Sequence, residues 1–379
     1  MLSLSRGLPG FPHALLKPSR GVRLLSTSPF KVLFFGRDEF SCVVLDHLYS
    51  AREIWSSIDV VTTPDIRIGR RGSKLAVSPL KSLGDNLRLP IHTIPAEKAA
   101  FRHWPLPHPF APSDAPPNDH LLLTASFGRI LSNAHLSAFG VGRKLNVHPS
   151  LLPAYRGAAP IQHALIDGRK ETGVSVIEMT ERKKGLDAGH IWGMTRSSIP
   201  QGADFVSLRE QLAIDGGRLL VDVLKKMLAG TAVPKPQLED PNAPRAPLLT
   251  PQDSLIDFST MSAETIVRRH RGISHQRPLF THLKSGKTLQ LFDLSVCTPE
   301  SGAEELTSPG MAKYHHRLKG LIVRCMDDSF LLVSQVKPQD RVLVKAKEWW
   351  NGVRPADRAL TDALDGPILL TREFSALRP

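Results

Sequence analysis

Short apolar runs alternate with helical patterns from Lys31 onward, and this alternation restricts the fold more than any other feature of the sequence. The runs are KVLFFG, IDVVTT (58–63), IHTIPA, HLLLTAS, KLNVH (144–148) and GVSVIEM (173–179). One helical pattern follows the first run, through Phe40, Val43, Val44 and Leu48, and a long amphipathic one covers about 204–229. Strands that alternate with helices predict an α/β domain with a mostly parallel sheet over 31–230.

A second unit is predicted beyond a Pro-rich, aperiodic segment at 231–249, which has the composition of an interdomain linker. The helical stretch MSAETIVRRHR comes next, followed by the short alternating runs TLQLFDLSV, GLIVRCM, SFLLVSQV and RVLVKAKEW. Several short strands with Gly and Asp turns predict a small OB-like β-barrel over 250–379. The other Pro-rich stretch, 105–117, is predicted to be a surface insertion in the first domain.

The first thirty residues differ from the rest of the chain. They contain Arg6, Lys17, Arg20 and Arg23 with several serines, and the first acidic residue is Asp38. An N-terminus rich in Arg and Ser and poor in acidic residues is typical of a mitochondrial transit peptide. We therefore expect residues 1–30 to direct the chain to the mitochondrial matrix, with a disordered basic tail as the alternative.

Charge and cysteine content narrow the classes of function. The chain has 49 Lys and Arg against 36 Asp and Glu, a net charge of +13. This excess favours an anionic partner such as nucleic acid, although matrix proteins are also often basic. No apolar stretch approaches the roughly eighteen residues of a membrane span. The three cysteines are far apart and odd in number, so they predict neither a disulfide framework nor a metal site.

The most informative segment is LNVHPSLLPAYRGAAPIQHAL (145–165). Asn146 and His148 are two residues apart on a strand, so both side chains leave the same face. The carboxyl edge of a parallel sheet is where open α/β folds place their sites. There Asn146 can donate to a carbonyl oxygen that gains negative charge, and His148 can move a proton. Considered alone, an N-x-H pair is more often a capping Asn and a buried, satisfied His.

A second candidate motif is GLDAGHIW (185–192), in which Gly185 and Gly189 flank Asp187. A carboxylate on such a loop can orient an imidazole or accept a proton through water. The alternative for an isolated motif of this kind is an Asp that only stabilises a turn.

Taken together, the two motifs resemble the folate-dependent formyltransferase superfamily, which carries a catalytic Asn, His and Asp in this order. The resemblance implies that Asn146, His148 and Asp187 are catalytic in a Rossmann-like formyltransferase domain. It also implies 10-formyltetrahydrofolate as co-substrate and no metal. The pterin is expected in a crevice lined by backbone of 126–130 and of the 183–187 loop. The residues expected to bind the folate are Phe127, Gly128, Ser150, Leu151, Leu152 and Pro153.

Two further stretches are similar to the methionyl-tRNA formyltransferases within that superfamily. They are AYRGAAPIQHAL and the basic loop TPDIRIGRRGSKLAVSPLK. The resemblance implies transfer of the formyl group to initiator methionyl-tRNA, giving N-formylmethionyl-tRNA for mitochondrial translation initiation, with the second domain also binding tRNA. The residues expected to contact acceptor-stem phosphates are Arg67, Arg70, Arg71 and Lys74.

Three alternatives are kept in view: a deformylating hydrolase, a sugar-amine formyltransferase, and a non-catalytic RNA-binding module. The basic loop and the linked second domain argue against the two enzymes, because neither enzyme needs a cationic loop. The presence of Asn146, His148 and Asp187 argues against the non-catalytic module.

The N-terminal pattern gives a first prediction. If it is a transit peptide, import removes residues up to about 25–30. N-terminal sequencing of the protein purified from mitochondria should then find a start shortly before the KVLFFG run. Recovery of a chain that still begins at Met1 would contradict the prediction.

Overall fold

A computed structural model of the chain describes residues 28–181, 183, 185–299, 302–359 and 366–372. Residues 1–27 of the segment interpreted as a transit peptide therefore lie outside the described residues. The first strand begins at Phe30, whose side chain is fully buried. It begins one residue earlier than the sequence pattern predicts.

The N-terminal unit is an α/β domain. In chain order its strands are β1 (Phe30–Phe35), β2 (Trp55–Thr62), β3 (Ile66–Ile68), β4 (Lys74–Ala76), β5 (Ile91–Thr93), β6 (His120–Ala125), β7 (Lys144–His148), β8 (Arg156–Gly157), β9 (Glu171–Glu178) and β10 (Ile191–Ser198). The main sheet has the order β5-β2-β1-β6-β7-β9-β10. Pairing is parallel from β5 to β7 and antiparallel for β9 and β10. The prediction of a mostly parallel sheet is confirmed.

Helices cover both faces of this sheet. They are α1 (Glu39–Ser50), α2 (Pro79–Asn86), α3 (Lys98–Arg102), α4 (Asn133–Ser137), α5 (Pro160–Ile166) and α6 (Phe205–Leu228). Asp38 begins α1 by accepting from the Ser41 N–H, and Asp204 begins α6 with a capping box, so backbone donors at both N-termini are satisfied. The apolar faces of α1 and α6 pack together against the sheet, where burial of each Leu contributes about 1.5–3 kcal/mol.

The Pro-rich stretch 105–117 is only in part the predicted surface insertion, because residues 111–115 are exposed whereas two earlier side chains are buried. Leu106 and Phe110 are buried in the core on the other face of the sheet, with Leu33, Phe35 and Leu122. The interpretation based on proline content missed these two apolar anchors, because an aperiodic segment gives no pattern that marks its buried side chains. The stretch therefore completes the core beneath β1 and β6.

The C-terminal unit follows a two-residue strand, β11 (Arg245–Ala246). Its elements are α7 (Ala263–Ile273), β12 (Leu279–Leu283), β13 (Thr288–Cys297), β14 (Met311–His315), β15 (Gly320–Arg324), β16 (Phe330–Pro338), β17 (Val344–Lys345), α8 (Ala346–Trp350) and β18 (Ile368–Thr371). Within the described residues, six of these strands close into an antiparallel barrel in the order β13-β12-β18-β14-β15-β16, with β16 returning to β13. The predicted barrel is confirmed.

One predicted strand of the barrel is largely a helix. The run RVLVKAKEW forms only the short β17, and α8 follows at once. Ala346 and Trp350 on α8 are buried against the barrel, a spacing of four residues that fits a helix and not a strand. The alternation in the sequence was too short to separate the two patterns.

The two units meet along α5 and α7. Arg268 Nε donates to the Ile166 carbonyl at 3.2 Å, and a Cβ on Gly272 would lie 3.1 Å from the Gln162 carbonyl oxygen. Farther along, the rings of Phe205 and His275 stack with centroids 3.7 Å apart. These contacts place the C-terminal unit beside the carboxyl edge of the main sheet. Among the described helices, none has the length and apolarity needed to cross a membrane.

Candidate active site

A cleft of about 660 Å³ opens at the carboxyl edge of the parallel strands. Loops that follow β1, β6 and β7 form most of its wall, and Phe205, Leu249 and His275 from the boundary with the C-terminal unit complete it. This is the volume of a pocket for a small organic ligand. Asn146, His148 and Asp187 all line it, so the structure brings the three predicted catalytic residues together.

The side chain of Asn146 is oriented by the neighbouring strand. Thr124 lies opposite Asn146 in the register of β6 and β7, and its Oγ1 donates to Asn146 Oδ1 at 2.7 Å. The hydroxyl also lies 3.4 Å from Met179 Sδ, but the amide oxygen is the nearer and stronger acceptor for its one proton, so this bond orients the oxygen toward Thr124. The two N–H groups of Asn146 are left as the donors that the cleft can use.

The orientation of His148 fixes which ring nitrogen can exchange a proton. The ring is 4 % exposed, and Nε2 lies 3.0 Å from the carbonyl oxygen of Tyr155. A carbonyl only accepts, so Nε2 must carry the proton of the neutral ring. Nδ1 is then the nitrogen that gains or loses a proton. It lies 3.8 Å from Asp187 Oδ2.

The Tyr155 carbonyl is held in place by a polar network. Tyr155 has a left-handed φ of 60°. Its hydroxyl donates to Asp167 Oδ2 at 2.7 Å and accepts from Arg169 Nε at 2.8 Å. Burial and the bond to Asp167 raise the pKa of Tyr155 to about 12, so the hydroxyl remains a donor. The backbone N–H of Tyr155 donates to the Pro244 carbonyl at 2.6 Å.

Asp187 is positioned by contacts to its backbone and its carboxylate. Its φ of 53° is left-handed, and its Oδ2 accepts from the Gly157 N–H at 3.0 Å. Glycine is required at 157, because a Cβ there would lie 2.3 Å from the Ala246 carbonyl oxygen. Asp187 Oδ2 thus lies between the Gly157 N–H and Nδ1 of His148.

The predicted folate crevice is partly supported by this geometry. Ser126 to Ile130 all line the cleft, as do Gly185 and Leu186. Phe127 has two roles, because its ring also contacts Phe35 at a centroid distance of 5.0 Å. Beside it the Ser126 hydroxyl donates to Asp38, a carboxylate whose pKa is raised by burial and partly lowered again by this bond.

The structure does not bring Ser150, Leu151, Leu152 and Pro153 to the cleft. Ser150 is fully buried and donates to the Ala154 carbonyl at 2.8 Å, and Ser175 donates to the Ser150 carbonyl at 2.7 Å. The chain turns back against β9 directly after His148, so proximity in sequence did not mean a shared face. Ser150 also donates its N–H to the His148 carbonyl at 2.8 Å. The predicted contact of these four residues with folate is not supported by the structure.

The basic loop forms a hairpin outside the cleft. Strands β3 and β4 pair with Arg67 opposite Leu75 and Ile68 opposite Lys74, and Arg70 and Arg71 lie in the turn. Apolar side chains on the hairpin are unusually exposed, 56 % for Ile66 and 57 % for Leu75. The four residues predicted to contact tRNA therefore share one hairpin, which does not line the cleft with the catalytic residues.

Sequence reasoning missed several residues that build the site. Thr124 and Tyr155 orient two of the three predicted catalytic side chains, and Gln237 in the predicted linker bonds to the Asp187 loop. None has a local signal, because each acts through a strand register or a contact distant in sequence. The described residues include no group of three or more His, Cys, Asp or Glu side chains arranged to hold a metal ion.

Comparison with known proteins identifies the family. A formyl transferase family matches residues 111–224, and the C-terminal domain of formyl transferases matches 248–354. The methionyl-tRNA formyltransferase of Dictyoglomus thermophilum is 32 % identical over 86 % of this chain and 97 % of its own length. That of Lactiplantibacillus plantarum is 29 % identical over 87 % and 97 %.

A solved structure shows the same fold at low identity. The N-formyltransferase of Helicobacter canadensis, in complex with folinic acid and dTDP-3-aminofucose, aligns with a TM-score of 0.53 and 13 % identity over 80 % of this chain and 98 % of that chain. The sequence relatives add what the fold alone does not give, since they match along nearly their whole length. The chain belongs to the methionyl-tRNA formyltransferase family.

Proposed function

We propose that this enzyme takes the formyl group from 10-formyltetrahydrofolate and transfers it to the α-amine of initiator methionyl-tRNA for mitochondrial translation initiation. The family accounts for formyl transfer to methionyl-tRNA. The observation that carries the mechanism is the convergence of the Asn146 amide, His148 Nδ1 and the Asp187 carboxylate on one cleft.

A folate donor fits the residues of the cleft. Ile130, Leu131 and Leu136 give it an apolar side, and the turn at Ser126–Gly128 has left-handed φ angles of 49° and 73° at its ends. Apolar side chains beside exposed backbone suit a flat heteroaromatic ring with amide groups. The structurally similar sugar enzyme was solved with folinic acid, which supports the same class of co-substrate. The donor supplies a formyl carbon bonded to a nitrogen that can leave.

Asn146 stabilises the oxygen of the group being transferred. When the amine adds to the formyl carbon, the carbonyl oxygen gains negative charge. Because Thr124 occupies the Asn146 oxygen, the amide can present only N–H groups to that charge. One such fixed donor is worth ~3 kcal/mol of transition-state stabilisation.

His148 moves the proton that the reaction must relocate. The amine loses a proton as its nitrogen bonds to carbon, and the departing nitrogen needs a proton as its bond to carbon breaks. With Nε2 committed to the Tyr155 carbonyl, both transfers pass through Nδ1. Asp187 Oδ2, 3.8 Å away, stabilises the positive ring between the two transfers.

The hairpin of β3 and β4 is proposed to contact the acceptor stem. It carries four cationic residues, Arg67, Arg70, Arg71 and Lys74, in a chain whose net charge is +13. A macromolecular anion must be brought to the cleft with its 3′ end near His148, and phosphate contacts can position it. The barrel is proposed as a second tRNA-binding surface.

The mitochondrial matrix is proposed as the site of action. Support comes from the four basic residues and the absence of acidic residues in the first thirty positions of the sequence. Because Phe30 is buried in β1, we expect removal of the N-terminal segment to stop before that residue.

The catalytic assignment predicts large and non-additive losses. Asn146→Ala, His148→Ala and Asp187→Ala should each lower kcat by about 100-fold or more, because each removes a group that acts in the transition state. A double variant should lose much less than the product of the single losses, since all three groups serve one event. Steady-state kinetics with charged methionyl-tRNA measure this.

The matched control is His103→Ala, which removes an exposed imidazole outside the cleft and should leave kcat unchanged. Circular dichroism should show that all the variants fold. If His148→Ala kept its turnover within about tenfold of wild type, His148 would not have the proposed role in proton transfer.

The hairpin assignment predicts a defect limited to one substrate. Arg70→Ala should raise KM for methionyl-tRNA while KM for the folate stays unchanged, because the hairpin lies outside the cleft. The difference from wild type should shrink as salt rises, since phosphate contacts are screened. Arg102→Ala, at an exposed site in α3, is the control. An unchanged kcat/KM for methionyl-tRNA at low salt in Arg70→Ala would exclude Arg70 as a contact.

A further inference from the structure

One side chain from the segment between the two units reaches the Asp187 loop. Gln237 Nε2 donates to the Asp187 carbonyl at 2.7 Å and to the Gly189 carbonyl at 2.8 Å. Both protons of its amide nitrogen are thereby used on the backbone of one three-residue turn. Gln237 thus holds the turn of Asp187 by hydrogen bonds from a position 50 residues away in sequence.

The oxygen of the same amide contacts Arg156, in the segment that follows His148. Gln237 Oε1 accepts from Arg156 Nε at 2.9 Å and from Arg156 Nη2 at 2.5 Å. The next residue, Gly157, donates its N–H to Asp187 Oδ2. Gln237 therefore contacts both segments around Asp187. It binds the backbone of the Asp187 turn, and through Arg156 it binds the segment whose Gly157 N–H contacts the Asp187 carboxylate.

The Asp187 loop contains backbone conformations that its surroundings must hold. Gly185 has a φ of 97° and Asp187 one of 53°, and a Cβ on Gly189 would lie 1.8 Å from the Glu178 carbonyl oxygen. Residues in left-handed conformations persist only where their surroundings impose them. The described contacts that hold this loop include the Gly157 N–H on the Asp187 carboxylate and the amide of Gln237 on the Asp187 and Gly189 carbonyls.

The segment that carries Gln237 is itself fixed to the catalytic unit. Lys235 and Ile191 exchange backbone hydrogen bonds of 2.9 and 2.7 Å. Farther on, the Pro244 carbonyl accepts from Tyr155 N–H and the Ala246 carbonyl accepts from Ala159 N–H at 3.1 Å. Although its composition predicts a linker, the segment lies against the site as an ordered part of it.

We infer that Gln237 is a positioning residue for the reaction: it sets the place of the Asp187 carboxylate beside His148 Nδ1. The inference rests on the proposed role of Asp187. Gln237 does not line the cleft, so its effect is on the chemical step and not on substrate binding. Gln237 lies in the segment that joins the two units, so the conformation of that segment also affects catalysis.

Two substitutions test this inference. Gln237→Ala removes all four contacts, and Gln237→Glu keeps the acceptor for Arg156 but loses the two N–H donors to the loop. Both should lower kcat by about 10- to 100-fold, the usual result of misplacing a catalytic group by an ångström. KM for the folate and for methionyl-tRNA should stay within about twofold of wild type, because the cleft wall is unchanged.

The control is Gln211→Ala, which also removes a donor to a backbone carbonyl, that of Ser198 at 3.1 Å, but from α6 and away from Asp187. It should retain wild-type kcat. If Gln237→Ala folds poorly, Gln237→Glu decides, since its bond to Arg156 is preserved. Wild-type kcat in Gln237→Glu, or a loss of the same size in Gln211→Ala, would overturn the inference.

A second measurement separates positioning from general stabilisation. In an Asp187→Asn background, Gln237→Ala should cause little further loss in single-turnover rate, because the group that it positions is already lost. A full additional loss would show a role unrelated to Asp187. If Asp187→Asn itself kept wild-type activity, the proposed catalytic role of Asp187 would fail; an inactive Asp187→Asn beside a fully active Gln237→Glu refutes only the inference.

Discussion

The hydrogen bond from His148 Nε2 to the carbonyl of Tyr155 is the contact on which the rest of the site depends. It commits one ring nitrogen to the protein and leaves Nδ1 facing Asp187. The bond exists because β7 ends at His148 and the chain returns through a left-handed Tyr155, whose hydroxyl is anchored by Asp167 and Arg169. A buried polar network of this kind fixes one geometry only when all its members are satisfied.

The C-terminal unit and the segment before it are part of this arrangement. The segment supplies the Pro244 carbonyl to Tyr155 and the Gln237 amide to the Asp187 loop, so it holds both sides of the imidazole in place. The C-terminal unit then contributes His275, from the turn between α7 and β12, which stacks on Phe205 at the cleft wall. A catalytic domain cut before residue 231 would keep its catalytic side chains and lose two of the contacts that orient them.

Strand and helix periodicity was sufficient for the fold class, because it is a local signal. The grouping of Asn146, His148 and Asp187 was predicted from the resemblance to the formyltransferases, since each motif alone also fits a purely structural role. The sequence could not predict that Thr124 would lie beside Asn146, since that follows from the register of two strands. The resemblance implied that Ser150 to Pro153 bind the folate, but the turn after His148 bonds Ser150 to Ala154 and Ser175, and none of the four lines the cleft. The proline content of 231–249 predicted a linker, and composition could not show that Gln237 in this segment contacts the Asp187 loop.

The most direct test of this account is the tautomer of His148. Protein labelled with ¹⁵N in its histidines gives side-chain signals that show which ring nitrogen carries the proton, and the His148 signal is assigned by its loss in His148→Gln. At a pH where the ring is neutral, the account predicts a proton on Nε2 and none on Nδ1. A neutral ring protonated on Nδ1 would contradict it, because the nitrogen facing Asp187 could then not accept the proton of the amine.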